Sequence, residues 1–412
     1  MQKSLDIKLR KIRAHPEADE FILADAKDAD MAFGLSAPGK SPEHHAHEGH
    51  FRTLQEYRRN IRDVIEQGLV DIVLMSTSTS EILTLIERRF EKSHVTPAIR
   101  ANDTTDIWLA AGSGRYASQP SRPFSTTTLD HAMCGHIDCR PEERKLGADL
   151  GLYSITFNND TELDLRALEV YKEFRIAAER VGFRHFLELF HPNAPGNHPP
   201  EDLAQFMVDH IARTLAGVPE SSRPVFLKIP YLGPEATEKL ARYDRHLIVG
   251  ILGGSSGTTR DAFQMLADAR KYGAKVALYG RKINNAEHQL CFITYLRGIA
   301  DGKIDPTEAV RAYHGDLQKL GIRPYRPLEE DLVYTQGQQA ESGYTQTSSS
   351  GRGKNRKVTG NAGTGQGLRK RSVPLDLKNG ESATSEHAPD FSKMSPSEKV
   401  EWNLKRWERI LG

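Results

Sequence analysis

Val225–Tyr231 reads VFLKIPY, Leu247–Ser256 reads LIVGILGGSS and Lys275–Asn284 reads KVALYGRKIN. Each is a short apolar run that ends in small or polar residues. Between the last two, Thr259–Tyr272 carries a helical pattern. Apolar runs of this length, alternating with helices, are the rhythm of parallel βα units. Lys228 stands alone among apolar neighbours in the first run. Gly253, Gly254 and Ser255 end the second, and Gly280 and Arg281 end the third.

Working back toward the N-terminus, the same rhythm continues. Phe21–Ala26, Leu69–Met75, Val95–Ala101, Ala148–Phe157 and Phe186–Phe190 are the remaining strand candidates. Helical patterns fall at Phe51–Gln67, Glu81–Phe90, Glu162–Val181 and Glu201–Leu215. In the first of these, Leu54, Tyr57, Ile61, Val64 and Ile65 recur at helical spacing. Further helices are expected at His288–Ile299 and Pro306–Leu320, and a short one in residues 1–20 at the bottom of the fold. About eight strands, each with a helix or its equivalent, predict an α/β (β/α)₈ barrel over residues 21–303. An open doubly-wound sheet is the competing layout, but no GxGxxG follows the first strand. Residues 107–145 are expected to be a long polar loop.

The domain reading is a barrel with an N-terminal segment and an extra C-terminal helix over 1–333, a linker over 334–388 and a docking helix over 389–412. Past residue 334, Gly, Ser, Thr, Gln, Asn and Lys dominate, with too little apolar surface to repay ordering, so a flexible linker is expected. Its basic clusters, Lys354–Lys357 and Arg369–Arg371, read as solvated linker rather than as an RNA or lipid contact. Val400, Leu404, Trp407 and Ile410 then form one stripe of a short amphipathic helix that needs a docking surface.

The 412 residues carry 56 Lys and Arg against 55 Asp and Glu, a formal net charge of +1. No global field points to nucleic acid or an anionic membrane. No run approaches a bilayer span, and the first 20 residues lack the apolar core of a secretory signal. The three cysteines, Cys134, Cys139 and Cys291, make no disulfide framework. A cytoplasmic protein without nucleic-acid or membrane partners is expected.

Lys228 is the residue with the most chemistry in it. An ammonium in an apolar strand is costly, and burial or a neighbouring cation favours the neutral amine. Such an amine attacks a carbonyl to form a Schiff base, which serves as an electron sink for C–C cleavage. A structural lysine paired to Glu188 is the plainer reading. Gly253, Gly254, Ser255, Gly280 and Arg281 fall where the seventh and eighth loops of a barrel hold phosphate. Glu188, inside the fifth strand, would move protons for Lys228 or act as its counterion. Tyr153 on the fourth strand is an acid/base candidate or a core residue. In LYSI, Tyr153 and Ile155 share one face and Leu152 and Ser154 the other; the inward face stays open. Asp25, ending the first strand, would orient a substrate hydroxyl or pair with Lys228, in competition with Lys27 and Asp28. His191 and His288 are further polar candidates.

Two clusters resemble metal ligand sets. One is His44, His45, His47 and His50 with Glu48; the other is His131, Cys134, His136 and Cys139. Neither has the paired-cysteine spacing of a strong zinc pattern. No metal and no cofactor are expected.

The run of VFLKIPY, GILGGSSGT and GAKVALYGRKIN, in that order, resembles the class I (Schiff-base) aldolase family of the DhnA/DeoC/LacD-like type. The resemblance is carried by residues 225–300 and is only positional over 21–190. It implies a (β/α)₈ barrel with the imine lysine at Lys228 and a phosphate site at Gly253, Gly254, Gly280 and Arg281. It also implies an aspartate at the end of strand one, which Asp25 would match, and a strand-five glutamate, which Glu188 would match. Tyr153 is the nearest match to a polar acid/base. The chain departs from compact family members in its histidine-rich insertion, in the loop 107–145 and in its tail. The expected function is that of a carbon–carbon lyase acting on a phosphorylated ketose or related keto substrate, in an oligomer as the family commonly forms. A sugar-phosphate isomerase or epimerase, or a non-catalytic phosphate-ligand scaffold, is the alternative.

Overall fold

The computed structural model describes residues 1–39, 51–108, 115–194, 199–254, 257–335 and 395. Eight parallel strands alternate with helices: β1 (Ile22–Lys27), β2 (Ile72–Met75), β3 (Thr96–Arg100), β4 (Leu150–Thr156), β5 (Arg184–Phe190), β6 (Leu227–Lys228), β7 (Gly250–Leu252) and β8 (Val276–Tyr279). They hydrogen-bond in the order β6-β5-β4-β3-β2-β1-β8-β7. A parallel bridge between Ile229 and Ile251 joins the two ends, so the sheet closes into a (β/α)₈ barrel.

Alternation along the strands sorts side chains between two cores. Ile22, Ala24 and Ala26 of β1, Ile72 and Leu74 of β2, Leu152 of β4 and Phe186 of β5 fill the barrel interior. Leu5, Leu9 and Ile12 join this cluster from helix α1 (Ser4–Ala14), which plugs one end as the sequence suggested. The opposite faces, such as Leu23, Val73, Tyr153 and Leu187, pack against the outer helices.

The outer layer begins with α2 (Leu54–Gln67), which starts at a Thr53/Glu56 capping box and stops at Gly68, whose φ of 69° suits glycine. After β2, a turn of α-helix at Thr77–Ser80 runs on as π-helix through Ile86. Then come α3 (Thr161–Val181), α4 (Leu203–Ala216), α5 (Pro234–Tyr243), α6 (Thr259–Lys271) and α7 (Gln289–Ala300), with α8 (Pro306–Lys319) beyond the barrel. The strands β6 and β7 are shorter than their apolar runs. Pro230 has no N–H to continue the ladder, and Gly253 and Gly254 end the next strand.

The stretch expected to be one long loop is more ordered than that. Asp103–Thr104 pairs antiparallel with Pro123–Phe124. A short helix, Leu129–Cys134, is capped by Thr128 and ended by Gly135. It forms because Ala132 and Met133 can bury against Ile99, Ala101 and Ala148. The chain divides into two units, Met1–Ser349 and Ser350–Gly412. The histidine-rich stretch 44–50, most of the linker 334–388 and the docking helix in 389–412 lie outside the described residues, Ser395 apart.

Candidate active site

Strand register assembles the site. Ser154 of β4 is the Cα partner of Glu188 on β5, and Glu188 is the partner of Lys228 on β6. Three polar residues thus stand in a row across three strands, all on the inward face. Lys228 is 5 % exposed and Glu188 1 %. The Lys228 ammonium lies 2.5 Å from Glu188 Oε1, an ion pair without hydrogen-bond alignment. Glu188 Oε2 accepts from Ser154 Oγ at 2.7 Å and from Arg100 Nη2 at 3.4 Å. Asn102 fixes Ser154 from behind through its backbone, with Asn102 Oδ1 accepting from Ser154 N at 2.6 Å.

Arg100 is the residue the sequence reading missed. It ends β3, is 1 % exposed, and branches into the row. Its Nε donates to Asp28 Oδ2 at 2.6 Å and its Nη1 to Ser154 Oγ at 3.1 Å. Asp103 Oδ1 lies 3.6 Å from Nη1. Burial raises the Asp103 carboxyl to about 6, partly offset by Arg100. Two cations, Lys228 and Arg100, therefore face three carboxylates, Glu188, Asp28 and Asp103, away from water. A detectable signal was present: Arg100 is a lone charge in an apolar strand, as Lys228 is.

The strand-one candidates divide by parity. Ala24 and Ala26 point inward, so Asp25 and Lys27 point outward, toward the helix layer. Lys27 donates to Asn284 Oδ1 at 2.5 Å and to Gln289 Oε1 at 3.0 Å, and lies 3.3 Å from Asp25 Oδ2. Both residues are fully buried. Burial pushes the Asp25 carboxyl up to about 6, against the pull of Lys27, and pushes Lys27 down, against the pull of Asp25. Asp25 is thus not brought to Lys228. Asp28, one step past the strand, is the aspartate that lines the cleft.

Tyr153 is likewise on the outward face, which answers the question left open for LYSI. Its ring packs on Tyr171 and Phe174 at centroid distances of 5.0 and 4.5 Å. It lines a separate cleft with Val170 and Phe124. Leu152 and Ser154 hold the inward face instead, and Ser154 is the polar group of β4 that meets Glu188. His288 caps α7, accepting from Cys291 N at 3.2 Å through Nδ1.

The cleft over this row is walled by Asp28, Phe33, Glu188, Lys228, Gly254 and Arg281, among others. About 500 Å³ lies between its walls, mouth included, and about 50 Å³ admits the centre of a water molecule. Gly253, Gly254, Gly280 and Arg281 all border it. Ser255 lies outside the described residues.

The glycines are not equivalent. A Cβ on Gly253 would sit 2.1 Å from the Tyr279 ring, and its N–H already donates to Leu278 O at 2.7 Å. A Cβ on Gly280 would meet Ala26 O at 2.8 Å. Both positions demand glycine for packing. Gly254 has open space around it and a φ of 58°. Arg281 Cζ stands 5.5 Å from the Phe33 ring centroid. Lys282 ties the two glycine loops together by donating to Gly257 O at 2.8 Å and Thr258 O at 3.2 Å.

No family model matches the chain, and no curated protein matches it. Solved structures do. An archaeal fructose 1,6-bisphosphate aldolase is 13% identical with a TM-score of 0.50, over 72% of this chain and 99% of that one. A Schiff base forming fructose-1,6-bisphosphate aldolase is 15% identical with a TM-score of 0.50, over 72% of this chain and 100% of that one. At these identities the likeness is one of fold. No helix among the described residues is long and apolar enough to cross a membrane.

Proposed function

We propose that the chain is a class I aldolase, a carbon–carbon lyase that forms a Schiff base between Lys228 and a phosphorylated ketose or related keto substrate. The observation that carries this reading is the buried Lys228–Glu188 pair at the wall of the cleft. A lysine held only as the buried partner of Glu188 would be paired in the same way; the catalytic reading is supported by Lys228 also lining the cleft that Asp28, Gly254 and Arg281 border.

Glu188 takes a proton from the Lys228 ammonium as substrate enters. The freed amine adds to the ketone carbonyl and gives a carbinolamine. The same carboxyl returns the proton to the departing hydroxyl, which leaves as water, and an iminium remains. The C–C bond beta to the iminium carbon then breaks. Its electron pair becomes an enamine, while the hydroxyl on the leaving fragment loses its proton to become an aldehyde. Asp28, which lines the same cleft, would receive that proton. The enamine carbon then takes up a proton, and water hydrolyses the resulting iminium to a ketone and free Lys228. Arg100 orients Glu188 and Asp28 through its hydrogen bonds to both. Gly254 and Arg281 are the groups suited to the phosphate, with Arg281 as a planar multidentate donor.

The test is a cleavage assay over phosphorylated ketoses and keto acids, with aldehyde release as the readout. Turnover that Lys228→Ala abolishes supports the reading. Interconversion of isomers without aldehyde release would replace the lyase with an isomerase.

A further inference from the structure

We propose that Cys134, Cys139, His136 and Glu143 bind a zinc-class divalent cation that pins the connection between β3 and β4. One ligand atom from each of Cys134, Cys139 and Glu143 falls within 4.8 Å of the others. His136 Nε2 lies 3.7 Å from Glu143 Oε2, long for a hydrogen bond and short enough for two ligands of one ion. His136 Nδ1 is tied to Ile137 O at 2.8 Å, which leaves Nε2 as the free donor atom. Metal-bound imidazoles are typically held through the other nitrogen in this way.

The ligand set of two sulfurs, one imidazole and one carboxylate matches what zinc takes in a tetrahedron. A single cysteine pair cannot fill such a site; the fold brings Glu143 to it, and His136, outside that group of three but beside Glu143, is the fourth donor that turns in on binding. Supporting contacts surround the ligands. Glu143 accepts from Arg140 N at 3.0 Å and from Arg140 Nη2 at 2.5 Å. Asp130 Oδ2 accepts from Asp138 N at 3.0 Å, which holds the turn into Cys139. Cys139 is buried with Ile99, Ala101, Met133 and Ala148.

Cys134 and Cys139 are also disulfide partners by their sulfur contact. A disulfide does not require the carboxylate that stands beside the two sulfurs. On binding, each thiol gives its proton to solvent as its metal–sulfur bond forms, so the reduced chain is the one that takes metal. The site is structural. It lies on the connection whose ends carry Arg100 on β3 and Ser154 on β4, so its loss loosens two supports of Glu188.

The experiment titrates Co²⁺ and Zn²⁺ into the full chain under a non-chelating reductant. One equivalent of Co²⁺ should give a thiolate-to-metal charge-transfer band that Zn²⁺ bleaches. Cys139→Ser should remove the band, Glu143→Gln should weaken binding about tenfold or more, and Cys291→Ala should leave both unchanged. Histidines at 44–50 cannot supply that band, because they hold no sulfur. Should Cys139→Ser not fold, Glu143→Gln still decides, since it keeps both thiols. No band on the reduced chain, a band that survives Cys139→Ser, a Glu143→Gln affinity equal to the parent's, or a Cys134–Cys139 disulfide that persists in the reductant overturns the proposal.

Discussion

Glu188 and Lys228 are Cα partners on neighbouring strands, and their charged groups meet at 2.5 Å with almost no solvent contact. The register, rather than a flexible loop, sets that pairing. Glu188→Gln keeps the shape and removes the proton acceptor. A drop in kcat of roughly 10²-fold or more is expected, the usual worth of a positioned general base. Steady-state kinetics on the substrate found by the cleavage assay check it, and an unchanged kcat would reduce Glu188 to a counterion.

Arg100 holds Asp28, Ser154 and Glu188 at once. Arg100→Met would leave buried carboxylates without their cation. A loss of about 3–5 kcal/mol of stability is expected, the usual cost of breaking a buried pair from one side. Urea unfolding measures it. A loss under about 1 kcal/mol would mean that the cluster is wetter than its burial indicates.

Tyr153 faces the helix layer, and its hydroxyl has no hydrogen-bond partner among the described residues. Tyr153→Phe should therefore leave kcat within about twofold and stability within about 0.5 kcal/mol of the parent. A large fall in kcat with an intact melting curve would return Tyr153 to the acid/base role.

Asp25 and Asp103 both have carboxyls raised by burial to about 6 in the folded chain. The folded state binds more protons than the unfolded one between the ordinary aspartate value and that point. Their stability contribution is greatest at low pH and is lost as pH rises through the window from about 4 to about 6. For Asp25 the swing is on the order of 3 kcal/mol. Asp25→Asn should flatten the fall in unfolding free energy across this window without abolishing it, because Asp103 remains. An unchanged slope would contradict the raised value.

The barrel was readable from eight apolar runs because each strand buries both faces, and that leaves a continuous apolar signature. Lys228 and Glu188 were readable for the same reason: a charge inside such a run has few explanations. The facing of Asp25 and Tyr153 stayed open because their runs, FILADA and LYSI, look alike from either face. Inward parity is fixed by neighbouring strands, through pairings such as Ser154 with Glu188. Arg100 carried the same lone-charge signal, but at the end of a run that opens into polar Asn102–Asp106, where a charge is ordinary. The helix Leu129–Cys134 was missed because six residues show too little periodicity to stand out from a loop.

The most direct test of the central claim is borohydride trapping with a phosphorylated ketose, followed by peptide mass mapping. One reduced adduct, of substrate mass, is expected on Lys228, and none on the Lys228→Met chain. An adduct on another lysine, or aldehyde release that survives Lys228→Met, would contradict it.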